Sequence, residues 1–266
     1  MAGMTDALAR TARAVAEDLF SVPEARAIET ALLCLAAHPE VVALAPGARE
    51  AAGVYRALPG DARGVEREAV LLDVYLALHR AGGVYGPEEE ARLRAIGGCP
   101  WQPGGLLPLV LASRMIDGRA AVADLGAGNG LQGLILQAIR PHRLTLQVEL
   151  GGAMVRAGRV LQRALPPGRG RMRWLHADLR EADLSEIDLV YLYRPCRPHG
   201  EGLALYRELA ARLVQRAGRD RPFSVVSVAD CLAPLVAHAL PVVFQDEFLV
   251  CMRSRAREAS ASGPVV

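Results

Sequence analysis

"AAVADLGAGNGLQGLILQAI", Ala120 to Ile139, decides the fold class of this chain. Small and apolar residues lead to Asp124, glycines follow at positions 126, 128 and 130, and an apolar run with helical spacing begins at Leu131. The order reads strand, loop, helix. Glycine permits torsions that side chains forbid, and without Cβ atoms a ligand can approach the main chain. The loop therefore predicts a nucleotide-like ligand. Gly128, Gly130 and Gly133 also meet the G-x-G-x-x-G spacing of a dinucleotide site, so the glycines alone leave that ligand open.

Outward from this stretch, strands are predicted at 120–125, 144–149, 172–176, 187–193 and 223–229, with helices at 130–140, 152–165, 201–217 and 231–239. Such alternation implies a parallel sheet covered on both faces. The segment "PVVFQDEFLVCMRSR" holds two apolar runs around Gln245, Asp246 and Glu247 and reads as a hairpin adding an antiparallel edge. The first hundred residues differ. Helical spacing recurs over 4–20, 23–38, 47–57, 66–82 and 87–96, with proline and glycine breaks between, and no strand is evident. After the junction "GGCPWQPGGLLPLV", with its own short helix, the α/β pattern takes over. The expected organisation is an all-helical cap or lid domain over 1–100, an α/β ligand-binding domain over 101–256, and a disordered tail over 257–266.

Composition excludes several classes of function. Hydrophobic residues make up 52% of the 266, but no uninterrupted apolar run is long enough to span a bilayer and no charged-then-apolar leader opens the chain. A cytoplasmic protein with no membrane partner is expected. Net charge is +2 and the basic residues are scattered, so the footprint of a nucleic-acid partner is missing. All 31 basic residues are arginine, which rules out a lysine Schiff base or a P-loop lysine. Five widely spaced cysteines without a C-x-x-C pair suggest buried reduced thiols, neither a disulfide framework nor a metal site.

Asp124 separates the candidate ligands. A carboxylate at the strand end before the glycines repels phosphate and attracts a cation. "LTLQVEL" ends in Glu149, an acid suited to accept hydrogen bonds from both ribose hydroxyls. "LHADL" brings Asp178, which can accept from an adenine amino group. An ammonium, a sulfonium, a ribose and an adenine occur in that order in S-adenosylmethionine.

At these residues the sequence resembles the class I S-adenosylmethionine-dependent methyltransferases. The resemblance runs from about Ala120 to Arg253, roughly half the chain. Asp124, Leu125, Gly126, Ala127, Gly128, Asn129 and Gly130 match the acidic, glycine-rich first motif; Glu149 matches the acid ending the second strand; Ala177, Asp178 and Leu179 match the adenine-contacting segment. The resemblance implies a Rossmann-like seven-stranded sheet with a reversed last strand, S-adenosylmethionine as cofactor, and Asp124, Gly126, Ala127, Gly128, Asn129, Gly130, Glu149, Asp178, Leu179 and Tyr193 as its contacts.

In that family the fourth strand end faces the methyl group, and members acting on amide or base nitrogens carry an Asn or Asp, two prolines and an aromatic residue there. Here Tyr193, Arg194, Pro195 and Cys196 stand in those positions, which argues against nucleic-acid bases and glutamine side chains as acceptors. Tyr193 offers a ring for a sulfonium or a hydroxyl for the acceptor, and Arg194 offers a clamp for a carboxylate on acceptor or cofactor. Both are the candidate catalytic residues. Alternation places Ile187, Leu189, Tyr191 and Tyr193 on one face of the strand. His176 and His199 lie near the same edge, and Tyr55, Tyr75, Tyr85 and Trp101 are candidate pocket aromatics, with helix-core packing the competing role for each.

The expected function is methyl transfer to a small-molecule substrate under a helical lid. Three alternatives remain open: transfer or cyclisation of the cofactor's aminobutyryl group, as in nicotianamine synthase-like enzymes; protein-lysine methylation; and a silent cofactor-binding subunit. The oligomeric state is also open, with a homodimer one arrangement.

Overall fold

A computed structural model describes residues 2–83, 85–99, 105–165, 171–219 and 221–254. Trp101 and the tail over 257–266 lie outside the described residues. The chain opens with helices α1 (Ala2–Glu17), α2 (Glu24–Ala37), α3 (Pro39–Leu44), α4 (Pro46–Arg56), α5 (Gly64–His79), α6 (Pro87–Ala95) and α7 (Leu107–Arg114). Sheet and helix then alternate: β1 (Ala121–Leu125), α8 (Leu131–Ile139), β2 (Leu144–Glu149), α9 (Gly152–Ala164), β3 (Arg171–His176), β4 (Leu189–Tyr193), α10 (Glu201–Ala217), β5 (Ser224–Val228), α11 (Leu232–Val236), β6 (Val242–Gln245) and β7 (Leu249–Arg253). The proline-led α3 divides a region that reads as a break in the sequence. α6 shows how local chemistry sets a boundary. Pro87 opens it, Glu88, Glu89 and Glu90 occupy its first turn, and Arg92 and Arg94 its last, each charge complementing the helix dipole.

The sheet has seven strands in the order β3-β2-β1-β4-β5-β7-β6. β1 to β5 pair in parallel, while β7 runs antiparallel to both β5 and β6. The α/β class, the terminal hairpin and the reversed last strand agree with the sequence reading. The chain passes from β3 across to β4, so the order reverses between β1 and β4, where an open α/β sheet has its crevice.

Two cores flank the sheet. On one face Ala121, Ala123, Leu125, Val190 and Leu192 pack with Leu205, Tyr206 and Leu209 of α10. On the other, Val122, Leu189 and Tyr191 join Leu131 and Ile135 of α8, and the same cluster takes in Ile28, Leu32 and Leu35 of α2 and Leu71, Val74 and Leu78 of α5. α2 lies over α8, α3 over α9, and α1 against α7 and β6. Residues of the first hundred thus share a core with the sheet. Burying each such leucine stabilises by about 2 kcal/mol.

Two expectations need correction. Ile187 packs with Val190 and Leu192, not with Leu189 and Tyr191, because β4 begins only at Leu189 and the Ile187 N–H closes a turn on the Leu184 carbonyl at 3.2 Å. All five cysteines are free, but only Cys196 and Cys251 are buried, and Cys34 on α2 is exposed. Among the described residues no helix is long and apolar enough to cross a membrane.

Candidate functional site

A cleft opens at the carboxyl ends of the central strands. Gly126, Ala127 and Gly128 line it from β1, Glu149 from β2, Asp178 and Leu179 from the segment after β3, and Tyr193 and Arg194 from the end of β4. These are eight of the eleven residues singled out from the sequence. Gly126, Gly128 and Gly130 have φ of 82°, 58° and 69°, in the left-handed region that favours glycine. A Cβ on Gly126 would meet that of Pro195 at 2.9 Å, so the β4 end packs against the first turn of the loop. A Cβ on Gly128 would meet nothing within 4 Å, so the main chain borders open space in the cleft and could cradle a ligand there.

Glu149 organises the cleft floor. Its Oε2 accepts the Gly128 N–H at 2.8 Å, and its Oε1 accepts the Gly151 N–H at 2.7 Å and the Tyr85 hydroxyl at 3.3 Å. Burial raises its pKa, while those donors pull it back down. Asp178 accepts the Arg180 backbone N–H at 2.9 Å and the Arg180 guanidinium on both oxygens. Although burial opposes it, this pairing lowers the carboxyl's pKa. Tyr193 is half-buried, and burial raises its phenol despite the Arg194 charge beside it.

The other three residues, expected at the cofactor, do not line the cleft. Asp124 shares the strand parity of Val122, so its side chain leaves the sheet toward α8 and is buried beneath the loop. Burial, then the Glu149 charge, pushes its carboxyl up to about 7, and Oδ2 finds no hydrogen-bond partner among the described residues. Asn129 Nδ2 donates to the carbonyls of Leu78, His79 and Ala81 at 2.9, 3.2 and 3.0 Å, tying the loop to the end of α5. Gly130 starts α8, and a Cβ there would strike Trp174 at 2.5 Å. Neither Asn129 nor Gly130 presents its own side to the cleft; both hold the loop's shape.

The sequence reading did not include His79, Gln132 and Met154, which also line the cleft. The Gln132 Nε2 and His79 Nε2 lie 3.1 Å apart, and burial drops the histidine to about 4, leaving it neutral near pH 7. Nothing local in the sequence marks a histidine at a helix end as part of a site seventy residues away. Of the candidate aromatics, Tyr85 reaches the cleft; Tyr55 bonds Glu29 at 3.0 Å, and Tyr75 is buried in the shared core. His176 meets the Leu150 carbonyl at 3.0 Å, and His199 is exposed.

The sheet order with its reversed seventh strand, and the glycine loop at the β1 end, decide the fold. The chain has the class I S-adenosylmethionine-dependent methyltransferase fold. No protein-family model and no curated protein matches the sequence. Solved structures with partial likeness to this methyltransferase fold include the YcgJ protein from Bacillus subtilis, 14% identical with a TM-score of 0.35, covering 49% of this chain and 54% of that one. Precorrin-6y C5,15-methyltransferase from Geobacter metallireducens is 15% identical with a TM-score of 0.39, covering 56% and 86%. Geranyl diphosphate methyltransferase in complex with GPP and sinefungin is 15% identical with a TM-score of 0.34, covering 65% and 52%. The chain spans about half the length of the first and the last of these.

Proposed function

We propose that the protein is a class I S-adenosylmethionine-dependent methyltransferase acting on a small molecule. The observation that carries this reading is the succession of groups along four adjacent strand ends. Asp178, Glu149, the open Gly128 cradle and the Tyr193–Arg194 pair follow one another in the sheet order β3, β2, β1, β4. An adenine amino group would meet Asp178, ribose hydroxyls Glu149, and a sulfonium the ring of Tyr193. When bound, S-adenosylmethionine supplies a methyl carbon on a sulfonium that departs with the carbon–sulfur electron pair, so transfer needs mainly an in-line approach in a dry pocket.

The chain's own residues supply that environment. Tyr85, Leu93 and Ile96, from the segment around α6, line the same cleft and would exclude water as a lid. Leu93 and Met154 add apolar surface suited to a small organic acceptor. A second reading, transfer or cyclisation of the aminobutyryl group, is favoured by one feature: Tyr193 and Arg194 stand where acceptor-nitrogen chemistry would have an Asn or Asp followed by prolines.

Calorimetry with S-adenosylmethionine, followed by mass spectrometry of the nucleoside product, tests both. Methyl transfer leaves S-adenosylhomocysteine, and aminobutyryl chemistry leaves methylthioadenosine. Absence of any binding would sink the cofactor assignment itself.

A further inference from the structure

Arg194 stands out at the β4 end of the cleft. Its φ of 38° is in the left-handed region, unusual for an arginine and costly by about 1 kcal/mol or more. Neighbours enforce that turn: the Arg194 N–H donates to the Val228 carbonyl at 3.1 Å, and Pro195 packs on Gly126. Among the described residues the buried Nε of Arg194 has no hydrogen-bond partner and Arg194 enters none of the ion pairs. A buried guanidinium nitrogen without an acceptor is expensive, and an anionic ligand offsets that cost.

The place of Arg194 in the sheet indicates which anion. From the β3 end at Asp178 to the β4 end at Arg194 is three strand spacings, about 14 Å. That matches a nucleoside extended by an amino acid arm. If adenine lies at Asp178 and ribose at Glu149, the amino acid arm ends beside the loop and Arg194. Among the described residues on the cleft wall, Arg194 is the sole cation, since the chain has no lysine and His79 is neutral.

We propose that Arg194 is the receptor for the carboxylate of the cofactor's methionine arm, held by its strained backbone so that the guanidinium faces into the cleft. This rests on the reading of the cleft as a S-adenosylmethionine site. It makes the amino acid arm a determinant of affinity.

The test is calorimetry of the full chain with S-adenosylhomocysteine and with its decarboxylated analogue, which keeps the amine and lacks only the carboxylate. Arg194→Gln is expected to weaken S-adenosylhomocysteine binding about 10- to 100-fold while leaving the analogue within about twofold. Arg194→Lys should recover part of the loss. Arg194→Gly, which suits the left-handed backbone, repeats the measurement without risk to the fold. Equal loss for both ligands, or no loss for either, overturns the proposal; the latter points to a carboxylate on the acceptor. If the unmutated protein binds neither ligand, the cofactor reading fails, and with it this one.

Discussion

The Tyr85 hydroxyl donates to Oε1 of Glu149 at 3.3 Å, joining the segment between α5 and α6 to the end of β2 across 64 positions of chain. Oε1 also takes the Gly151 N–H, so its two lone pairs are engaged, while Oε2 takes the Gly128 N–H. A ribose diol that uses both oxygens must displace the Tyr85 hydroxyl.

Tyr85→Phe is therefore expected to tighten nucleoside binding a few-fold, by up to about 1 kcal/mol, the net worth of a neutral hydrogen bond. Calorimetry with S-adenosylhomocysteine reads this directly. A weaker or unchanged Kd would mean that Tyr85 assists the ligand and does not compete with it.

Gly128→Ala and Gly130→Ala separate binding from stability. Both positions are left-handed, so each substitution costs about 1 kcal/mol of backbone strain. At Gly128 the added methyl enters open space in the cleft, and affinity for the nucleoside should fall well beyond the change in stability. At Gly130 it meets the Trp174 ring, and the melting temperature should fall further than at Gly128. The reverse ranking in denaturation would contradict this assignment.

Asn129→Ala should destabilise the fold by about 1–3 kcal/mol, because the side chain is buried and its amide nitrogen serves three carbonyls at the end of α5. Urea denaturation measures the loss. A change under about 0.5 kcal/mol would show that those carbonyls find other donors.

Asp124 and Asp230 should each make stability fall with rising pH, against the opposite trend of the buried His79 and His142, whose lowered values make the folded state release protons that the unfolded chain still holds. Burial raises Asp124 from 3.8 to about 7 in the folded chain, and Asp230 to about 6, so the folded state holds protons that the unfolded state has released. The stabilisation is complete below the unfolded values and is lost as pH climbs through the folded ones. The total is at most a few kcal/mol. Between pH 5 and 8 the melting temperature of the parent protein should fall relative to that of Asp124→Asn as the pH rises, and parallel profiles would show that Asp124 is ionised throughout.

The strand, loop and helix around Asp124 were legible in the sequence because hydrophobic periodicity and glycine torsions are local properties. The same locality marks Glu149 and Asp178, which end short apolar runs, and the hairpin of β6 and β7. Strand parity, also local, leaves a choice that sequence alone does not make. Asp124 and Glu149 leave the sheet on one face, yet Glu149 ends its strand and reaches the cleft, whereas Asp124 lies two residues deeper and is covered by α8. Asn129 reads as a loop residue, but its partners are carbonyls about fifty positions away, brought there by the packing of α5 against the shared core. His79, Gln132 and Tyr85 join the site for the same reason. Short-range patterning determined the α/β class and the strand ends that form the cleft; tertiary packing decided which polar groups face the cleft, because burial and long-range hydrogen bonds depend on neighbours that no sequence window contains.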